Sequence, residues 1–169
     1  MTQGPEPTLG ESGEFAVIER LTVGRSRPAA VSVGPGDDAA VVDAPDGRVA
    51  VSTDMLVEGR HFRLDWSTAY DVGRKAIAQN AADIEAMGAS VTAFVVAVGA
   101  PPTTAVARMT ELGDGMWAEA EALGASIVGG DLVASPQWVI SVAALGDLGG
   151  RPPVLRSGAR AGAVIAVAG

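Results

Sequence analysis

The stretch Val49–Phe62 reads VAVSTDMLVEGRHF, and the fold is read outward from it. It begins as an apolar strand and runs out into a polar loop. Ser52, Thr53 and Asp54 stand side by side at the junction, and His61, the single histidine of the chain, follows in the loop. A strand that ends in Ser-Thr-Asp offers three oxygen groups at one sheet edge, and oxygen groups suit a hard cation such as magnesium.

The segment just before it, VGPGDDAAVVD at 33–43, has the turn signal Gly34-Pro35-Gly36, two aspartates and a short apolar run, Ala39 to Val42. Pro45-Asp46-Gly47 reads as a tight turn. Two apolar runs around such a turn predict an antiparallel hairpin, Ala39–Val42 with Val49–Thr53. That hairpin would carry Asp37 and Asp38 to the end of the sheet where Ser52, Thr53 and Asp54 lie.

Composition sets the outer bounds. A chain of 169 residues with 48% apolar content, mostly Ala and Val, can bury one real core and is not a disordered sequence. The net charge of −8 argues against nucleic acid or an anionic membrane as the main partner, since both need a basic footprint. It leaves phosphate ligands open, because a bound cation inverts the local charge. Without cysteine there is no disulfide, thiolate metal site or cysteine nucleophile. No apolar run is long enough to span a bilayer, and MTQGPEPTLGESGE lacks the charged and apolar regions of a signal peptide, so a cytoplasmic protein is expected.

Residues 1–12 show no periodicity and are expected to be disordered. Phe15, Ile18 and Leu21 stand at helical spacing and predict a first helix that ends near Gly24. Ser67 or Thr68 can cap a long helix over Ala69–Met87, with Val72, Ala76, Ile77, Ala81, Ile84 and Met87 as its core stripe. Asp83 falls beside that stripe and needs a partner. Ser90–Val98 reads as a strand buried on both faces. A second helix is expected over Thr103–Leu123, weakened by Gly113 and Gly115. A short strand Ala125–Val128 ends in the turn Gly129-Gly130-Asp131, Gln137–Leu145 forms another strand, and Ala163–Ala168 a last one. This order predicts an α+β domain over 13–150, a mixed β-sheet with two long helices packed on one face. Residues 151–169 read as a linker and the start of a further domain.

The candidate chemistry is a set of aspartates at strand ends and glycine-rich turns: Asp37, Asp38, Asp54, Asp83 and Asp131. Taken singly, each is more simply a turn or cap residue. Taken together they repel, and magnesium shared with phosphates would offset that repulsion. His61, a lone histidine beside Phe62, is more simply a packed or surface imidazole than a ligand-facing one. Gly130 would allow close backbone approach to a phosphate, and Arg156 could bind phosphate or sit in solvent. Trp66, Trp117 and Trp138 read as packing residues. No G-x-x-x-x-G-K-[ST] loop is present, which excludes a P-loop enzyme.

Six segments in order, GEF at 13–15, GDDAAVV at 36–42, STDMLVEGRHF at 52–62, KAIAQNAADIEAMGA at 75–89, VGGD at 128–131 and LRSGARAG at 155–162, resemble the N-terminal half of the thiamine-monophosphate kinase family, within the aminoimidazole-ribonucleotide-synthetase-like superfamily. The resemblance implies transfer of the ATP γ-phosphoryl group to thiamine monophosphate without a phosphoenzyme, and hence no protein nucleophile. It implies magnesium ligands at Asp38, Ser52, Thr53, Asp54, Asp83 and Asp131, a thiamine-monophosphate contact at His61, and ATP contacts at Gly130, Asp131 and Arg156. It also implies a homodimer in which N-terminal domains pair their sheets, with Ser90–Val98 and Gln137–Leu145 as contributors. The segment ELGDGMW departs from the family where an aromatic residue packs near the nucleotide. The family chain is about twice this length, so the 169 residues alone are expected to have little kinase activity. The alternatives are a non-catalytic magnesium-nucleotide-binding or dimerisation domain, or another enzyme of the superfamily.

Overall fold

The computed structural model describes residues 6–25, 27–35 and 39–167. Asp37 and Asp38 lie outside the described residues. Among the described residues the α-helices and strands in order are α1 (Leu9–Ser12), α2 (Glu14–Thr22), β1 (Val31–Val33), β2 (Val41–Val42), β3 (Ala50–Val57), α3 (Ala69–Ala86), β4 (Ser90–Ala100), α4 (Val106–Ala122), β5 (Ser126–Ala134) and β6 (Val139–Asp147). The main sheet has the order β3-β6-β4-β5. β6 runs antiparallel to both β3 and β4, while β4 and β5 are parallel, so the sheet is mixed as expected.

α3 and α4 pack against each other; α3 also packs against β3, β4 and β6, and α4 against β5. Thr68 starts α3 with a capping box: its hydroxyl accepts from the Asp71 N–H, and the Asp71 carboxylate accepts from the Thr68 N–H. Val72, Ala76, Ile77, Ala81 and Ile84 are buried as the helical spacing predicts, with Met87 left exposed at the end. Leu56, Phe94, Ile140 and Val142 rise from the sheet to meet them. Each such side chain contributes about 1.5–3 kcal/mol through removal from water.

Gly113 and Gly115 do not mark a weak helix. A Cβ on Gly115 would lie 2.0 Å from the Tyr70 carbonyl oxygen, and one on Gly73 would lie 2.1 Å from that of Leu112. Both glycines let the backbones of α3 and α4 approach closely. A Cβ on Gly113 would meet Leu21 of α2 at 2.5 Å.

Several expectations are corrected. β2 pairs with β1, not with β3, and β3 pairs over eight residues with β6. The hairpin argument that brought Asp37 and Asp38 to Ser52 therefore fails. Residues 6–12 are not disordered: Leu9 and Gly10 donate to the Thr104 and Pro102 carbonyls, and Val106 donates back to Pro7. In α2 the buried residue is Val17, while Phe15 points to solvent. Gly129-Gly130-Asp131 is strand, not turn, since it continues the ladder with β4. β4 is not buried on both faces, because Val95 and Ala97 are exposed on the face away from the helices. Trp66 is exposed under the Arg63 guanidinium, which needs no core. Residues 163–167 form no strand and lie in solvent. Among the described residues no helix is long and apolar enough to cross a membrane.

Candidate functional site

β3 is an edge strand, and its residues alternate between faces. Ser52, Asp54 and Leu56 face the helices, whereas Val51, Thr53 and Met55 face away. Leu56 is wholly buried under α3 and anchors the strand there. Ser52 and Asp54 lie further along the same face, where the cover of α3 is partial.

On α3 the residues Lys75, Gln79 and Asp83 recur every four positions and so form one row. Each reaches the β3 segment. Ser52 Oγ donates to Asp83 Oδ2 at 3.0 Å. Gln79 Nε2 donates to Asp54 Oδ2 at 2.6 Å. Lys75 Nζ donates to the carbonyl oxygen of His61. Three polar rungs thus join the helix to the strand and the loop that follows it. The sequence reading found Ser52, Asp54, His61 and Asp83 but missed Lys75 and Gln79, although their i, i+4, i+8 spacing with Asp83 was visible.

His61 sits in the exposed loop and its Nδ1 accepts from the Val57 N–H at 2.9 Å. A neutral imidazole that accepts at Nδ1 carries its proton on Nε2, so the outer nitrogen is a hydrogen-bond donor. That suits an anionic ligand.

The other candidates lie elsewhere. Thr53 is on the opposite face and its hydroxyl donates to the Val142 carbonyl at 2.9 Å. Gly130 stands in the same cross-sheet row as Asp54, through Val142 and Val96. That row spans three strand spacings, about 14 Å. Asp131 follows Gly130 on β5, the far edge of the sheet, and faces away from the helices. Asp54 and Asp131 of one chain therefore cannot hold one ion. Asp131 Oδ1 accepts from the Leu132 N–H at 2.9 Å. Arg156 is exposed in a single 3₁₀ turn, Arg156–Gly158. The segment before it is tied to the end of α3 by Val154 N–H to the Met87 carbonyl, and to the approach to β3 by Arg48 to the Arg151 carbonyl.

The donors at the β3–α3 edge are all oxygen: Ser52, Asp54 and Asp83. Among the described residues no three His, Asp or Glu side chains cluster as a closed metal cage. Two carboxylates and a hydroxyl, open to solvent, fit magnesium, which keeps water or phosphate oxygens in its shell.

Residues 36–148 match the family model described as AIR synthase related protein, N-terminal domain. The chain is 69% identical over 163 residues to a thiamine-monophosphate kinase of Mycobacterium tuberculosis (strain CDC 1551 / Oshkosh), covering 96% of this chain and 49% of that protein. It is similar in fold to the thiamine monophosphate kinase of Aquifex aeolicus, with TM-score 0.64 and 30% identity, over 69% of this chain and 39% of the other. It is also similar to AaThiL complexed with AMPPCP and TMP, with TM-score 0.58 and 27% identity, over 86% of this chain and 44% of the other. The chain spans about half the length of the curated relatives it matches.

Proposed function

The chain belongs to the AIR synthase related protein family, through its N-terminal domain, and from that premise we propose that the protein is a cytoplasmic kinase that phosphorylates thiamine monophosphate with ATP. The bond from the γ-phosphorus to the β–γ bridging oxygen breaks, and a new bond forms to a phosphate oxygen of thiamine monophosphate. The products are ADP and thiamine diphosphate. The observation that carries this reading is the high identity, across nearly the whole chain, to thiamine-monophosphate kinases. A fold neighbour solved in complex with AMPPCP and TMP supports binding of both ligand types.

An acceptor phosphate oxygen is already anionic, so the protein needs positioning and charge stabilisation more than a strong base. Asp38, Ser52, Thr53, Asp54, Asp83 and Asp131 are the proposed magnesium ligands. Bound magnesium would screen the repulsion between the two phosphate groups. His61 offers its Nε2 proton to the thiamine phosphate, and Lys75 fixes the loop that carries it. Gly130, Asp131 and Arg156 are the proposed ATP contacts.

The two sheet edges also support a homodimer. The face away from the helices exposes Val51, Met55, Val95 and Val133, an apolar surface that a second copy can cover. Thr53 and Asp131 lie on that face, at opposite edges. Face-to-face pairing would bring Asp131 on the β5 edge of one protomer toward Thr53 on the β3 edge of its partner.

Incubation of the full-length protein with ATP, magnesium and thiamine monophosphate tests the reading. Equal amounts of ADP and thiamine diphosphate are expected by chromatography. ADP without thiamine diphosphate would refute the acceptor, and no ADP would refute the kinase.

A further inference from the structure

Gln79 is the middle rung between α3 and β3. Its amide is half-buried, and it meets a carboxylate rather than a backbone group. An ionised carboxylate only accepts, so the amide must turn its nitrogen toward Asp54 and its oxygen away. A hydrogen bond to a charged acceptor is shorter and stronger than one to a neutral acceptor, and the separation here is 2.6 Å. The helix is fixed beneath it: the next residue, Asn80, is wholly buried and its Nδ2 donates to the Ala76 carbonyl at 2.8 Å. One turn on, Asp83 is held by Ser52, so the two carboxylates are each tied by one oxygen to the opposite element.

We propose that Gln79 is a positioning residue for cation binding: it holds Oδ2 of Asp54 against α3 and leaves Oδ1 to coordinate the ion. Partners behind a ligating carboxylate fix its orientation and raise metal affinity. The inference rests on the reading of Asp54 as a cation ligand, and its test separates the two.

Manganese(II) alone is the probe, titrated into the full-length protein and followed by loss of the free-ion paramagnetic resonance signal. Gln79→Met keeps the length and removes the donor, and is expected to weaken binding about tenfold without changing the circular dichroism spectrum. Gln79→Ala, a good helix former, is the second variant should the first fail to fold, with the same expectation. Asp54→Asn is expected to weaken this binding more than either Gln79 variant, and the double variant to be no weaker than Asp54→Asn alone. Parent-like binding by both Gln79 variants, beside weakened binding by Asp54→Asn, would overturn the positioning role and leave Asp54 as a ligand. Parent-like binding by Asp54→Asn would overturn both. A double variant weaker than Asp54→Asn by the full Gln79 effect would show that Gln79 acts apart from Asp54, and would also overturn the proposal.

Discussion

The two edges of the main sheet are built differently. At β3, a helix reaches down with three polar side chains and fixes Asp83 to Ser52, Asp54 to Gln79, and the His61 loop to Lys75. At β5, the chain places two glycines and then Asp131, whose carboxylate bonds to the backbone of its own neighbour. One edge is held in shape before any ligand arrives, and the other is bare backbone suited to close approach. A pre-held edge suits an ion and the phosphate that must be aligned. A bare edge suits a phosphate chain that passes along it, or a partner strand.

The two aspartates, one at each edge, carry the largest expected effects. Asp54→Asn and Asp131→Asn should each lower thiamine diphosphate formation by at least about a hundredfold, measured as kcat/KM in the full-length protein. If the edges complete each other across a dimer, mixing the two inactive variants should restore about a quarter of the parent activity after random subunit exchange. No recovery would place both aspartates at separate sites within one chain.

Next comes the scaffold that carries the ordered edge. Gly115→Ala puts a methyl group 2.0 Å from the Tyr70 carbonyl oxygen and forces α3 and α4 apart. A loss of about 3 kcal/mol is expected in denaturant unfolding. Stability within error of the parent would show that the close approach is not required.

Much of this was legible in the sequence, for physical reasons. α3 announces itself through the Thr68–Asp71 cap and a strict apolar stripe, since helix periodicity is local. The mixed sheet follows from element order. Strand pairing is not local, and there the reading failed. A two-residue β2 beside Pro45-Asp46-Gly47 looks like half a hairpin with β3, yet β2 pairs with β1 and β3 with the distant β6. The same error hid the true neighbours of Asp54, which come from α3. Gly129-Gly130-Asp131 carries turn residues but lies in a strand, because its pairing with β4 outweighs local preference. Asp131 then faces away from Asp54, a fact that only register reveals.

Smaller effects sharpen the account of the ordered edge. Ser52→Ala removes the hydrogen bond to Asp83 and should lower kcat/KM about tenfold. The corresponding alanine at Thr53, whose hydroxyl bonds to the Val142 carbonyl on the other face, should cost less if the helix-facing row is the site. Smallest is the helix start. Thr68→Ala removes the cap and should cost about 1 kcal/mol by thermal unfolding. The Thr68 hydroxyl, and after it the Thr68 N–H, hold the Asp71 carboxyl below its ordinary value. A carboxyl lowered in the folded state stabilises fully above its unfolded pKa and less as pH falls through the folded one. Acid should therefore weaken the parent in the carboxylate range, and Thr68→Ala should flatten that part of the stability profile.

The most direct test is a crystal of the full-length protein grown with manganese(II) and a non-hydrolysable ATP analogue, with the ions located by anomalous scattering. An ion within coordination distance of Asp54 Oδ1, with Oδ2 still bonded to Gln79, is the expected result. Manganese bound only away from the β3–α3 edge, with Asp54 and Asp83 uncoordinated, would contradict it.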